Sequence, residues 1–172
     1  MTRFKVCMAI RSIFIIVIML SSLAMITGCE KEILTIVGEK APNISSADVY
    51  GSNVSLKQHK GKVVILFFWT NSCCGDKLNL LEPFYNKNKD KGVSVIGINE
   101  NNSKEVVALY TKTNGITFTM LADETGRTAK EYGVFGFPTI FVIDKHGVLQ
   151  KKILGDVNIA QLNQLVAELL IK

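Results

Sequence analysis

Two cysteines stand side by side in the run FFWTNSCCGDK, Phe67 to Lys77, directly after a strongly apolar segment. A deprotonated thiol at such a place can attack a disulfide or a peroxide. Dithiol chemistry also needs a second thiol to displace the product, ordinarily separated from the first by two residues. Here the neighbour is Cys74, and Asp76 occupies the more distant position. Consecutive Cα atoms lie about 3.8 Å apart, below the roughly 4.4–6.8 Å usual for a disulfide. A Cys73–Cys74 bond would be a strained and easily reduced ring. On a regular helix the two side chains would diverge by about 100°. Three readings of Cys74 therefore stand: an inward-packed side chain, a resolving or redox-switch thiol, or a metal ligand. A soft-metal site needs more ligands than two thiols. His59 and His146 both read as solvated loop residues remote from Cys73. We expect no metal and no cofactor.

The N-terminus sets how many thiols are available. MTRFKVCMAIR is a positively charged start, and Ser12 to Ile26 is an apolar stretch short of the ~20 residues of a bilayer span. Ile26-Thr27-Gly28-Cys29 then resembles the lipobox of bacterial lipoproteins. That resemblance implies a signal peptide over residues 1–28, lipidation of Cys29, and a tether over residues 29–37. An uncleaved anchor helix with a chance cysteine is the alternative. Both place the remainder outside the cytoplasm on a membrane, and several acyl chains would hold it there stably. Cys7 is lost with the signal and Cys29 is acylated, which leaves Cys73 and Cys74 in a compartment where thiols oxidise.

Charge excludes one class of partner. Three of the twenty basic residues, Arg3, Lys5 and Arg11, lie in the N-terminal segment, and the remaining seventeen face fifteen acidic residues. No basic block or aromatic-basic stripe is left, so no nucleic-acid partner is expected.

The elements that must hold the cysteines follow from hydrophobic periodicity. Gly61 to Trp69 is a continuous β-branched and aromatic run, a strand buried on both faces. The residues after Cys74 have helical spacing at Leu78, Leu81 and Tyr85, with Pro83 expected to kink or interrupt the helix. Val93 to Asn99 is a second buried strand, and an amphipathic helix capped at Asn102 or Ser103 ends at Gly115. A short helix ends at Gly133, a hairpin turns around Lys145-His146-Gly147, and a helix striped by Ile159, Leu162, Leu165, Val166 and Leu169 closes the chain. This order predicts an α/β domain over residues 38–172: a central mixed sheet with helices on both faces.

Three segments carry a family resemblance. Gly38, Ala41-Pro42, Asp48, Gly51, Leu56 and Gly61-Lys62 precede the central strand; Phe68-Trp69 end it; Tyr132-Gly133-Val134, Gly136, Pro138-Thr139 and Asp144 to Gly147 follow later. Together they resemble the membrane-tethered, thioredoxin-like thiol-disulfide oxidoreductases of the TlpA/ResA type, in the redoxin (AhpC/TSA-like) group. The resemblance implies a thioredoxin-like fold and makes Cys73 the nucleophile, at a helix N-terminus whose dipole favours the thiolate. It implies a cis bond before Pro138, Phe137 docking an extended substrate chain through its backbone, and Trp69 in the surface around the thiol. It also marks departures: Asp76 replaces the resolving cysteine and would oppose thiolate formation, Ser72 replaces a tryptophan, and Asn79 stands near an acidic position. The implied partner is a thiol or disulfide of an extracytoplasmic protein.

Two other functions remain open. Thr70-Asn71-Ser72-Cys73 matches the Thr-x-x-Cys core of single-cysteine thiol peroxidases, with peroxide as substrate. Those enzymes also carry a proline four residues before the threonine, where Leu66 stands, and an arginine beside the thiolate, for which only Arg127 remains. A non-catalytic module holding a partner on the Pro138 face is the third reading.

Overall fold

The computed structural model describes residues 35–156 and 158–171, so the expected signal peptide and Cys29 lie outside the described residues. Ile33–Lys172 form one compact unit. Among the described residues no helix is long and apolar enough to cross a membrane.

The sheet grows outward from β3 (Val63–Trp69), whose seven residues are all buried. It pairs in parallel with β4 (Val93–Glu100), and β4 in parallel with β5 (Thr119–Asp123). On the other side β3 pairs antiparallel with β6 (Thr139–Ile143), which turns back into β7 (Leu149–Leu154), giving the order β5-β4-β3-β6-β7. The helices are α1 (Leu78–Asn88), α2 (Lys104–Thr113), α3 (Arg127–Glu131) and α4 (Ile159–Ile171). Because strand side chains alternate between faces, Val63, Ile65, Phe67 and Trp69 meet Leu78, Leu81 and Phe84 of α1 and Leu162 and Val166 of α4. Val64, Leu66 and Phe68 pack on the opposite face with Ala129 of α3, Tyr132 and Phe141. Phe68, Tyr132 and Phe141 form a triangle of tilted and edge-on rings with centroids 5.1–5.5 Å apart.

Three differences from the sequence reading have physical causes. Strand β5 is absent from that reading, because Met120, Ala122 and Asp123 are weak strand formers and its order comes from pairing with β4. A small ribbon of β1 (Ser45–Ala47) and β2 (Asn53–Ser55) is absent from it too. The ribbon is turned by Asp48, whose Oδ1 accepts from the N–H groups of Tyr50 and Ser52. Pro83 lies inside α1 without ending it. Its ring removes one backbone hydrogen bond, while the buried Leu81 and Phe84 beside it keep the helix on the sheet.

One residue of the expected tether, Thr35, already bonds to the domain, and the domain's first residues follow it. Thr35 Oγ1 donates to the Tyr132 carbonyl, Gly38 N–H to the Leu149 carbonyl at 2.8 Å, and Ala41 N–H to the Gly147 carbonyl at 3.0 Å. From Tyr132 the chain thus passes to the β6–β7 turn, the end of the sheet opposite the cysteines.

Candidate active site

The site is a turn at the end of β3. The N–H groups of Cys73 and Cys74 both donate to the Thr70 carbonyl, at 3.4 and 3.2 Å. Cys74 has φ −146° and ψ 23°, outside helical geometry, and a single 3-10 turn over Gly75–Lys77 leads into α1 at Leu78. This corrects the expected helix N-terminus at Cys73. The dipole's influence fades within a turn of the helix, and Cys73 is separated from α1 by a non-helical residue and a 3-10 turn.

The two thiols face different surroundings, and both are free. Cys73 is exposed, and its Sγ donates to the Phe137 carbonyl at 3.6 Å. The Phe137–Pro138 bond is cis. Cys74 is only 2% exposed and packs in the core with Trp69 and Leu78. Its Sγ lies 3.9 Å from the Thr70 carbonyl. Burial pushes the Cys74 thiol up to about 11, outweighing the opposing hydrogen bond to Thr70, with Cys73 and Asp76 adding to the rise. A protonated thiol inside the core is a poor nucleophile; Cys74 packs inward in this geometry, with its thiol still within reach of that of Cys73.

Trp69 also differs from expectation. It is fully buried rather than part of the surface around the thiol. Strand parity turns it to the α1 face, where its Nε1–H donates to Met120 Sδ at 3.3 Å and its ring stacks obliquely on Tyr110 at 5.2 Å. It is the floor beneath the cysteine turn. Asp76 is exposed, and Lys77 Nζ lies between it and Asp156, 3.5 Å from Asp76 Oδ2 and 3.6 Å from Asp156 Oδ1. Asn79 is exposed, so no buried carboxylate stands at the position that the resemblance makes acidic.

Two supporting residues escape the sequence reading. Asn99, fully buried at the end of β4, donates from Nδ2 to Asn71 Oδ1 at 2.9 Å and so ties the cysteine turn to the sheet. Its one signal is an amide near the end of a largely apolar strand. Tyr110 lies over Gly75: a Cβ added there would stand 2.8 Å from Tyr110 Cζ and 3.3 Å from Trp69 Cζ3. Tyr110 follows Val107 by one helical turn, which marks the inward stripe of α2 but not its neighbour.

Of the peroxidase elements, Thr70 stays in the cysteine turn and Arg127 is engaged by its own helix. Thr70 Oγ1 lies 3.4 Å from Ser72 Oγ, and Arg127 pairs with Glu131 at 2.9 Å on the exposed start of α3. The histidines sit together at the other end of the sheet, lining a cavity of about 410 Å³ with Lys40, Leu56 and Ile143. His59 is thus not a freely solvated loop residue; its Nδ1 is buried without a partner, and burial, then Lys62, lowers its basicity. Among the described residues no cluster of three or more His, Cys, Asp or Glu could hold a metal ion.

A five-stranded mixed sheet, an exposed thiol after its central strand, and a cis-proline loop facing that thiol define a thioredoxin-like redoxin domain. The chain belongs to the AhpC/TSA family, whose model matches residues 37–152. It is 34% identical over 130 residues to the thiol-disulfide oxidoreductase ResA of Bacillus thuringiensis subsp. konkukian, covering 74% of this chain and 75% of that protein. It is 31% identical over 144 residues to the thioredoxin-like protein YneN of Bacillus subtilis, covering 80% of this chain and 83% of the relative. Among solved structures it resembles a thiol:disulfide interchange protein of the thioredoxin family from Chlorobium tepidum. That match has a TM-score of 0.69 and 27% identity, and covers 78% of this chain and 98% of the other.

Proposed function

We propose that the protein is a thiol-disulfide oxidoreductase that works through one cysteine, Cys73, on protein thiols or disulfides. The observation that carries this reading is the opposite placement of neighbouring thiols: Cys73 exposed against the Phe137 carbonyl, Cys74 enclosed in the core. The relatives' thiol-disulfide activity supports the reaction class. The missing thiol at Asp76 determines its form.

In the first step Cys73, having lost its proton to solvent, attacks one sulfur of a substrate disulfide. A Cys73–substrate disulfide forms, and the other substrate sulfur leaves as a thiolate. With Asp76 in the resolving position and Cys74 buried, no thiol in the domain completes a second step. An external thiol must attack the substrate sulfur of the mixed disulfide. Cys73 then departs reduced, and the substrate carries away the new disulfide. The Phe137 backbone offers the edge along which an extended substrate segment pairs.

The test is turnover of a mixed-disulfide or insulin-type substrate in the presence of a small thiol. Wild type is expected to turn over and Cys73→Ser to fall to the uncatalysed rate. Absence of Cys73-dependent turnover, with Cys73-dependent peroxide consumption in its place, would establish the peroxidase reading. Partner capture that survives loss of both thiols would establish a binding module. We place this activity outside the cytoplasm, on a domain tethered through acylated Cys29, a reading supported by the Ile26–Cys29 motif.

A further inference from the structure

In the loop that faces the thiol, an unusually exposed aromatic residue is held in place. Phe135 is 80% exposed, two residues from the Phe137 carbonyl that receives Cys73 Sγ. It is not left to swing. Lys152 Nζ lies 4.6 Å from the centre of its ring and 5.3 Å from that of buried Phe141, and donates to the Gly133 carbonyl at 2.7 Å. A cation over an aromatic face is attracted to it, and here the cation is fastened to the backbone. Leu154, 54% exposed, covers Gly136 so closely that a Cβ there would lie 3.2 Å from Leu154 Cδ1. Leu154 pairs with Thr139, and Gly155 N–H donates to the Pro138 carbonyl at 2.9 Å, so the shelf is continuous with the loop that faces the thiol.

We infer that Phe135 and Leu154 form a specificity shelf that selects substrates with an apolar residue close to the reacting cysteine. This rests on the thiol-disulfide reading and deepens it. Chain spans at most about 3.3–3.6 Å per residue, so Phe135 is within about 7 Å of Phe137, and the substrate side chain that it meets lies within about two residues of its cysteine. The shelf offers apolar area, with Lys152 beneath the Phe135 ring, while the nearby carboxylates of Asp76 and Asp156 flank Lys77. An aliphatic or aromatic side chain gains apolar contact there that a small polar side chain does not. Burial of such a side chain against a phenyl ring is worth about tenfold in binding.

The test uses two short peptides whose single cysteine is blocked as a mixed disulfide with thionitrobenzoate, one with leucine two residues from the cysteine and one with serine. Release of the chromophore is followed with excess small thiol. Wild type is expected to favour the leucine peptide about tenfold in kcat/KM, through KM. Phe135→Ser should bring the ratio near one, and Phe135→Leu should retain most of it. A wild-type ratio near one, or a ratio unmoved by Phe135→Ser, overturns the shelf and leaves the exchange reading intact. A control with the thionitrobenzoate disulfide of mercaptoethanol separates the two claims. If wild type and Cys73→Ser release chromophore equally from all three probes, the exchange reading fails and the shelf falls with it.

Discussion

At the scale of single residues, the difference between Cys73 and Cys74 is a difference in water. Cys74 is raised from 9.0 to about 11, chiefly by burial. Iodoacetamide at pH 8 is therefore expected to modify Cys73 alone in the folded protein and both residues in denaturant; equal labelling under native conditions would contradict the geometry. The same rise gives a stability prediction. From about pH 9 to about pH 11 the unfolded chain releases the Cys74 proton while the folded chain keeps it. The unfolded state then binds fewer protons, and stability falls with rising pH in that window. Comparison with Cys74→Ala, which lacks this titration, isolates the effect as a shallower alkaline loss of stability. Asp76→Cys restores a second thiol at the spacing that dithiol chemistry uses. In a single-turnover experiment without added small thiol, release of fully reduced substrate is expected to rise at least about tenfold, since resolution becomes intramolecular, and mass spectrometry should find the enzyme left with a disulfide between Cys73 and the introduced thiol. The variant's failure to form that bond would show that the non-helical turn at Cys74 holds the two positions apart.

Between residues and elements, the cysteine turn is clamped by parts that come from distant sequence. Asn99 holds it from β4, Trp69 supports it from β3, and Tyr110 covers Gly75 from α2. Gly75→Ala is expected to destabilise the fold by about 1–2 kcal/mol in denaturant titration, by forcing Tyr110 off its seat. In combination with Tyr110→Leu the loss should be smaller than the sum of the two single changes, because one collision is counted twice. Strict additivity would mean that the two do not touch. These clamps explain why the site is only partly legible in the sequence. The strand before Cys73 announces itself as an unbroken apolar run. The missing resolving thiol at Asp76 is visible through the family resemblance that makes Cys73 the nucleophile. Burial of Trp69 depends on strand parity, and the role of Tyr110 on how α2 lies across the sheet, neither of which spacing near the cysteines encodes. The helix start expected at Cys73 instead falls at Leu78, because the turn commits its backbone donors to Thr70.

For the molecule as a whole, the mixed sheet and its two helical layers follow from the order of strands and amphipathic segments. The β1–β2 ribbon and β5 do not, since short strands take their order from partners rather than from their own composition. The proposed anchor is tested in cells by detergent phase partition. Wild type is expected in the detergent phase, and Cys29→Ser, which removes the acylated residue, largely in the aqueous phase. An unchanged distribution would favour an uncleaved anchor helix. The place where the chain enters the domain then acquires a kinetic meaning. Residues 38–41 bond to the β6–β7 turn, whereas Cys73 follows the far end of β3, a strand of seven residues. At about 3.3 Å per residue that strand alone spans roughly 20 Å. The thiol and the backbone bonds of residues 38–41 therefore lie at opposite ends of the sheet. If the domain is held on a membrane as proposed, its encounters with partners on the same surface scale with their density per unit area rather than per unit volume.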